Sequence, residues 1–352
     1  MKILYIFPSP KKDDYQLIVN GEAPTDRLYG VYELQQLGHK VEFNDDRFKG
    51  KFRNLIILTR NTLGINLYDL KTILACWYYD VVVVKNNFSL VLTLACKLTG
   101  TKVVYLDTLF RMPRKLFKKM NYWSNFQLLD RIVTYSDRQI DFWTEPYRIR
   151  RNKFQFLPYT IDVDFYRPND NYVSSEPDAG DYVLSIGRDQ GRDFDTLVEA
   201  LDGLDINLKL ITLPYRLSKK IKEKNYVQFY QNIPYDQLFH LYKNAKLVVI
   251  PLKEETIYPS GIRGLLESMA LGKVSIVTYT PILEEYVENG KHVMFVDSTD
   301  INQLRKTIQE LIADPVRCQK MGSCAQKLVR KQFNMASFAD GFSNLLKTVV
   351  TQ

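Results

Sequence analysis

One stretch in the second half of the sequence joins an apolar strand-like run, a loop of small residues and an amphipathic helix. Ser260, Gly261 and Ile262 stand where that helix is predicted to start, shortly after the strand-like residues 246–250. The first N–H groups of a helix lack intrahelical partners, and the helix dipole places partial positive charge at the same end. We therefore predict that these three residues bind a phosphate or diphosphate group.

Glu267 lies about two turns into the same predicted helix, too far from its start to act as a cap. A carboxylate at this distance can accept hydrogen bonds from the hydroxyls of a ribose attached to the diphosphate. The neighbours Leu266, Met269 and Ala270 are apolar, which favours this function. The alternative is a surface glutamate on an amphipathic helix, the usual position of this residue type.

Several motifs of phosphate and hydrolase chemistry are missing from the sequence. No G-x-G-x-x-G follows the first predicted strand, so a dinucleotide oxidoreductase is poorly supported. The sequence has no G-x-x-x-x-G-K-[ST], which excludes a P-loop phosphotransferase. It also lacks a G-x-S-x-G elbow and an H-E-x-x-H helix, and their absence removes the commonest hydrolase classes.

The positive charge of the chain is confined to one half. Residues 1–158 contain 25 Lys+Arg and 15 Asp+Glu, a net charge of +10, whereas residues 159–352 contain 23 and 25, a net charge of −2. A basic field of this kind favours anionic partners such as phosphates, acidic lipid head groups or nucleic acid. Nucleic acid is the poorer explanation, because no RNA- or DNA-binding module accompanies the charge.

Short β-branched runs alternate with helical patterns along the chain, which is typical of parallel sheets built from β-α-β units. The predicted strands are residues 2–7, 40–43, 80–84, 101–106, 131–134 and 154–157, and then 182–186, 207–212, 227–230, 246–250, 274–277 and 292–296. The polar residues 168–181 interrupt the alternation. The sequence therefore predicts two Rossmann-like sheets followed by a helical C-terminal part.

Four segments together resemble a known family. Residues 267–276 match the second half of an E-G-F-G-x-x-x-x-E-A-M-A-x-G-K-P-V-I motif, and residues 187–197 are similar to G-R-x-x-x-K-G-x-D-x-L-L. Residues 157–168 look like an N-G-V-D-x-x-x-F-x-P interdomain segment, and residues 133–136 like the last strand and serine of an N-terminal domain. These motifs are typical of the large group 1 family of retaining GT-B glycosyltransferases.

The resemblance implies an α/β GT-B fold, in which two Rossmann-like domains face a central cleft and a C-terminal helix crosses back to the N-terminal domain. Residues 1–165 plus 335–352 would form the acceptor domain, and residues 166–334 the nucleotide-sugar donor domain. Residues 336–349 carry an apolar stripe at helical spacing that must be buried somewhere.

The resemblance also implies roles for two arginines. Arg188 and Arg192 would contact the donor diphosphate and stabilise it as a leaving group, since a guanidinium offers forked donors that match phosphate oxygens. The alternative is that both arginines pair with Asp189, Asp193 and Asp195 in the same carboxylate-rich loop.

The first half of the motif departs from the family pattern. Pro259 stands where the family has its first glutamate, so the loop resembles an S-G-x-R variant in which Ser260 and Gly261 contact the donor. Asp107 follows a predicted strand at a position where the family commonly has a polar residue that contacts the acceptor or the donor sugar; helix capping is the alternative. Gly21 would allow the donor diphosphate to approach closely, or is an ordinary turn glycine.

Family members usually need no metal, and the sequence agrees with this expectation. Its four cysteines form no C-x-x-C pair, and its three histidines leave little from which to build a metal site. We expect no metal and no cofactor, with the nucleotide diphosphate sugar as donor substrate. The sequence shows no signal peptide and no apolar run of roughly 20 residues, so we expect a cytoplasmic protein.

Residues 111–123 mix cations with Met, Leu, Phe, Tyr and Trp, a composition typical of segments that dip into an anionic leaflet. Leu116, Met120 and Trp123 fall on one helical stripe. We predict that this segment contacts the inner face of the membrane. The alternative is a solvated helix that packs the stripe into the core.

We predict a retaining, metal-independent, hexosyltransferase-type enzyme that moves a sugar to a glycan or lipid-linked acceptor in surface polysaccharide or glycolipid assembly. Two alternatives remain open. One is a nucleotide-sugar-binding partner subunit with weak or no catalysis, suggested by Pro259. The other is a nucleotide-sugar epimerase of the same architecture, which the motifs fit less well.

Overall fold

The computed structural model describes residues 1–44, 58–59, 69–85, 89–106, 115–167, 180–254 and 258–352. The chain divides into two compact units. The first comprises Met1–Pro158 and Met335–Gln352, and the second comprises Tyr159–Asn334. Residues 159–165, which the predicted domain ranges assign to the first domain, belong to the second unit. No described helix is both long enough and apolar enough to span a bilayer.

A six-stranded parallel sheet forms the centre of the first unit. Its strands are β1 (Lys2–Ile6), β2 (Lys40–Phe43), β3 (Val81–Lys85), β4 (Lys102–Leu106), β5 (Arg131–Thr134) and β6 (Phe154–Phe156). Their order is β2-β1-β3-β4-β5-β6. The valine run in β3 is buried throughout, as expected for a parallel strand covered on both faces.

Helices cover this sheet. The described helices that precede β6 are α1 (Lys12–Val19), α2 (Val31–Gln36), α3 (Asp69–Ala75), α4 (Leu90–Thr99), α5 (Leu116–Leu128) and α6 (Asp137–Tyr147). Leu92 of α4 and Phe126 of α5 share one apolar core with Val82, Val84 and Tyr105. Because alternate strand residues point to the same face of a sheet, α4 and α5 cover the same face.

A second six-stranded parallel sheet forms the centre of the second unit. Its strands are β7 (Tyr182–Ile186), β8 (Asn207–Ile211), β9 (Val227–Tyr230), β10 (Leu247–Ile250), β11 (Ser275–Thr278) and β12 (Met294–Val296). The order β12-β11-β10-β7-β8-β9 reverses direction between β7 and β10. Ligands of open parallel sheets bind outside the carboxyl ends of the strands at such a point.

The helices of the second unit are α7 (Phe194–Leu201), α8 (Lys219–Lys222), α9 (Tyr235–Asn244), α10 (Ile262–Ala270), α11 (Ile301–Ala313) and α12 (Pro315–Gln332). Leu197 of α7 and Ile308 of α11 pack with Leu208, Leu247 and Ile276 of the sheet in one core. The apolar sides of these helices thus fix the sheet from which the loops of the site emerge.

The helix α13 (Met335–Thr351) follows the second unit in the sequence but belongs to the first. Phe338, Phe342 and Leu346 are buried, and the helix packs against α2 and β4. The backbone of Gly30 lies so close to Phe338 that a Cβ there would stand 2.9 Å from the ring, so this contact requires glycine. The predicted apolar stripe is therefore buried within the first unit.

The twelve predicted strands all occur, with ends shifted by a residue or two. The segment between β1 and Gly21, for which no helix is predicted above, contains α1. Between β11 and β12 the chain forms a short 3-10 turn, Leu283–Glu285.

Candidate functional site

Two loops meet at the carboxyl ends of β7 and β10. The amide of Lys253 donates to the carbonyl of Gly191 at 2.8 Å, and the amide of Asp193 donates to the carbonyl of Pro251 at 3.1 Å. Arg192 and Leu252 form an antiparallel bridge between these two bonds. Adjacent strands deliver the loops to the same place, and backbone hydrogen bonds then hold them in register.

Three glycines make room for the side chain of Arg192. A Cβ on Gly187 would overlap with the guanidinium, and one on Gly261 would lie 3.3 Å from Nη1. A Cβ on Gly264 would lie 3.8 Å from Nη2. The guanidinium is therefore enclosed by the start of α10 and the end of β7, and only 5% of the side chain is exposed.

The Arg192 guanidinium has an Nη1 group without a hydrogen-bond partner among the described residues. Its Nε donates to Oδ2 of Asp189 at 3.1 Å, and Nη1 is buried. Burial lowers the pKa of this guanidinium, and the Asp189 carboxylate opposes the shift. An arginine nevertheless stays charged in proteins, so a buried cationic N–H without a described acceptor lies beside the start of α10.

Asp189 connects the two loops. Its Oδ1 accepts hydrogen bonds from Oγ of Ser260 at 2.5 Å and from the amide of Gly191 at 2.9 Å. Burial raises the pKa of Asp189, but the charge of Arg192 and these hydrogen bonds outweigh it and hold the pKa below the ordinary aspartate value. The predicted phosphate residue Ser260 thus lies next to Arg192 and is held by the same carboxylate.

The predicted phosphate-binding residues do stand at a helix start. Gly261 is the residue before α10 and has a φ of +82°, a conformation that favours glycine. No described side chain caps the helix. The positive end of the α10 dipole and the Arg192 guanidinium therefore act on the same place.

Glu267 is buried, with 4% of its surface exposed, so the alternative of a surface glutamate is wrong. Its Oε1 accepts hydrogen bonds from the Tyr166 hydroxyl at 3.0 Å and from Nε of Arg263 at 2.9 Å. Its Oε2 accepts one from the Tyr242 hydroxyl at 3.3 Å. Burial, and next the Glu267 charge, raise the pKa of Tyr242, so this hydroxyl stays protonated and donates.

None of the three donors around Glu267 was predicted from the sequence. Arg263 precedes Glu267 by one helical turn, and that spacing could have revealed the ion pair. Tyr166 and Tyr242 come from distant parts of the chain and share no local pattern with Glu267. Only the folded second unit brings them together.

The alternative that Arg188 and Arg192 both pair with the carboxylates of their loop is correct among the described residues for one ion pair. Arg192 pairs with Asp189, whereas Asp193 caps α7 by accepting from the amide of Thr196, and Asp195 accepts from the Ser218 hydroxyl. Arg188 is exposed and forms no ion pair with a described residue. Its guanidinium is thus available to solvent or to a ligand.

The structure gives less information about the predicted site residues of the first unit than about those of the second. Asp107 lies outside the described residues, as do residues 111–114. Gly21 ends α1 with a φ of +75°, and a Cβ there would meet no atom within 4 Å. The helix end itself accounts for this glycine. Leu116, Met120 and Trp123 are exposed, so the alternative that this stripe packs into the core is wrong.

The described residues contain no group of three His, Cys, Asp or Glu side chains that could hold a metal ion.

Residues 167–328 match the family Glycosyl transferases group 1. This segment, somewhat less than half of the chain, is similar to a group 1 glycosyltransferase domain. The match includes Arg192, Ser260, Gly261 and Glu267, and it begins one residue after Tyr166. No curated protein shows significant similarity to the chain.

Solved structures share the fold over the whole length. A glycosyltransferase from Rickettsia africae has a TM-score of 0.74 at 16% identity, covering 100% of this chain and 99% of its own. Sucrose-phosphate synthase from Thermosynechococcus elongatus has a TM-score of 0.75 at 16% identity, covering 100% of both chains. Alr3699/HepE from Anabaena, in complex with UDP and glucose, has a TM-score of 0.72 at 17% identity, covering 99% of this chain and 100% of its own. The predicted GT-B fold is confirmed.

Proposed function

We propose that the chain transfers a sugar from a nucleotide diphosphate sugar to an acceptor, with retention of configuration. The observation that carries this proposal is the buried Nη1 of Arg192, which lies beside the uncapped start of α10 without a described partner. A diphosphate oxygen would supply the acceptor that this N–H lacks. Ser260, Gly261 and Ile262 would offer further donors to the same group.

Glu267 would hold the nucleotide through its ribose. A carboxylate has about four acceptor positions, and the described donors occupy two on Oε1 and one on Oε2. The remaining position on Oε2 can accept a ribose hydroxyl. Tyr166, Arg263 and Tyr242 would keep the carboxylate oriented for this bond.

The comparisons support a nucleotide sugar as the donor. Alr3699/HepE, which shares the fold, was solved with UDP and glucose, with UDP, and with UDP-glucose. The group 1 match lies in the unit that contains Arg192 and Glu267. It favours transfer over the two alternatives, a non-catalytic partner subunit and an epimerase.

The proposed reaction places the positive groups where charge develops. As the glycosidic bond to the diphosphate breaks, negative charge grows on the leaving oxygens, and Arg188, Arg192 and the α10 amides would stabilise it. The diphosphate would assist removal of the acceptor proton on the same face of a hexose, which gives retention. No metal is then needed. Gly21 would let the diphosphate approach the first unit, and Asp107 would contact the acceptor or the donor sugar.

We propose a glycan or lipid-linked acceptor, used in surface polysaccharide or glycolipid assembly on the cytoplasmic side of a membrane. The net charge of +10 in residues 1–158 favours an anionic acceptor or membrane surface. Residues 111–123 are the proposed membrane contact. The exposed Leu116, Met120 and Trp123 support it.

Thermal unfolding with UDP, GDP, dTDP and CDP tests the donor proposal. One nucleotide should raise the melting temperature, since a ligand at a hundredfold its Kd stabilises by about 2.7 kcal/mol. The matching UDP-, GDP-, dTDP- or CDP-sugar should then be turned over, and turnover should survive EDTA. If none of the four nucleotides changed the melting temperature, the donor site would be refuted; loss of turnover in EDTA that Mg²⁺ restores would refute the metal-free mechanism alone.

A further inference from the structure

Three neighbouring helices of the first unit form an outer layer over one face of its sheet. α3 and α5 each pack against α4. Their inner sides contribute Leu92, Cys96 and Phe126 to the core beneath them, and Cys76, directly after α3, joins the same core. The opposite sides of the three helices must therefore face away from the sheet.

These outward sides are apolar. Val91, Leu94 and Leu98 form a stripe along α4 at spacings of three and four residues, and Leu98 is 89% exposed. A similar exposed stripe lies along α5. It begins with Leu116, which is 72% exposed, and continues with Met120 and Trp123. Leu74 of α3 and Trp77, directly after it, are also exposed and extend the apolar surface on the far side of α4. We call this surface the outer helix face.

The second unit provides the comparison. Its exposed large apolar side chains, Tyr215, Phe229, Tyr279 and Val316, lie on four different elements or loops. Single exposed apolar side chains are normal on soluble proteins, whereas a contiguous patch marks an interaction surface. The exposed apolar residues of the outer helix face lie on neighbouring helices and so form such a patch.

The charge of the outer helix face identifies its partner. Neither α4 nor α5 contains an aspartate or glutamate. Lys115, Lys118 and Lys119 lie at the start of α5, among its exposed apolar residues. Apolar stripes flanked by lysines, without carboxylates, suit the boundary between lipid head groups and acyl chains in an anionic leaflet. A second protein chain would not require this charge bias.

We propose that the outer helix face docks the first unit on an anionic lipid bilayer, with α4 and α5 lying in the plane of the interface. This inference rests on the proposed membrane contact of residues 111–123 and extends it to α3 and α4. It also specifies the acceptor, because a unit held in this way is presented with acceptors that are themselves anchored in the bilayer.

Vesicle flotation of the full chain tests the inference. The probes are vesicles of phosphatidylcholine alone and of an equimolar mixture of phosphatidylcholine and phosphatidylglycerol. We expect the wild-type chain to float only with the anionic vesicles. Leu98→Glu on α4 and Leu116→Glu on α5 should each lower the partition coefficient about tenfold or more, since each removes one buried leucine from the interface.

Val316→Glu is the matched control, because Val316 is 75% exposed but lies on α12 of the second unit. It should float like the wild type, and all three variants should keep the wild-type melting temperature. If Leu116→Glu lost binding and Leu98→Glu did not, only the proposed contact of residues 111–123 would remain and the three-helix face would be wrong. If the wild type failed to float and instead formed dimers that Leu98→Glu dissociated, the occupant would be a second copy, and both membrane proposals would fail.

Discussion

At the scale of single residues, Asp189 determines how the candidate donor site is assembled. One carboxylate accepts from the Arg192 guanidinium, the Ser260 hydroxyl and the Gly191 amide. These groups come from the loops after two different strands. Asp189 is thus a positioning residue, since it aims the groups proposed to meet the diphosphate without itself meeting an anion.

Asp189→Asn tests this role. The substitution keeps the size of the side chain but removes the charge that offsets the buried guanidinium, so we expect the free energy of unfolding to fall by about 1.5 to 3 kcal/mol. Nucleotide affinity should fall as well, because Arg192 and Ser260 lose their common anchor. Urea unfolding and titration calorimetry measure the two effects.

Asp195→Asn is the control for this variant, because Asp195 lies in the first turn of α7 and accepts from the Ser218 hydroxyl. The pH dependence gives a second readout. Asp189 has a lowered pKa in the folded chain, so its stabilisation is present above the ordinary aspartate value of about 3.9 and is lost as pH falls through the folded value. Asp189→Asn should flatten the acid limb of the stability profile; an unchanged limb would contradict the assignment.

Tyr166→Phe tests the orientation of Glu267. The variant removes the hydrogen bond to the buried carboxylate and the one that the hydroxyl accepts from Nη2 of Arg263 at 3.3 Å, and it leaves the bond from Nε of Arg263 to Glu267 in place. We expect the donor KM to rise several-fold with little change in kcat, because the lost interaction acts on binding rather than on the reacting bond. Steady-state kinetics, with the nucleotide sugar that the thermal unfolding screen selects, measure KM and kcat separately.

Tyr182→Phe is a matched comparison for this substitution. Tyr182 is also buried, and its hydroxyl donates to the carbonyl of Leu241 at 2.7 Å, away from Glu267. Its loss should cost about 1 kcal/mol of stability and leave the donor KM unchanged. Equal kinetic changes in both variants would mean that Tyr166 acts only through general stability.

Local patterns in the sequence revealed one part of the site and not the other. The helix start at Ser260 and the paired position of Arg192 follow from residue types and spacing within a few residues. The enclosure of Arg192 by Gly187, Gly261 and Gly264 depends on the approach of two loops, and no periodicity encodes it. The same holds for the contact between Tyr166 and Glu267, which requires the complete second unit.

At the scale of elements, α13 is held partly by a histidine of the first unit, His39. Nε2 of His39 lies 2.8 Å from Oγ of Ser343 on α13. Burial lowers the pKa of His39, and the positive charges of the Met1 amine and Lys347 lower it further. Protonation of His39 therefore opposes the docked state of α13.

We predict that α13 opens more readily as pH falls below the ordinary histidine value of about 6.5, since the unfolded state then binds more protons than the folded state. Hydrogen exchange of the α13 amides, measured as opening free energies between neutral and mildly acidic pH, should show this loss. His39→Gln should remove it, and His240→Gln, in the other unit, should not. Opening free energies that did not change with pH in the wild-type chain would contradict the prediction.

The strands were more predictable than the helices. Each buried parallel strand is a short β-branched run bounded by polar residues, and this signal does not depend on the rest of the fold. α1 was missed because it is short and buries only Ile18, so its apolar residues follow no clear helical stripe. Asp13 and Asp14 in its first turn were the available signal, since acidic residues favour a helix start.

At the scale of the whole molecule, the second unit is a continuous segment inserted between two parts of the first. A chain truncated after Asn334 keeps every described residue of the candidate donor site but lacks the helix that covers α2 and β4. We expect this truncation to destabilise the first unit and expose its apolar groove, while the nucleotide still stabilises the second. Calorimetry with and without nucleotide would follow both transitions. An unchanged first transition would show that α13 is dispensable.

The insertion also affects the order in which the protein can be made. A ribosome synthesises residues 159–334 before it begins α13, so the second unit is complete in sequence before the first unit is. The strands of the first unit are translated earliest, but this unit cannot be completed until α13 is made. Until then, the surface that receives Phe338, Phe342 and Leu346 stays uncovered. Throughout that interval the earliest-made part of the chain is the one most exposed to aggregation and in greatest need of a chaperone.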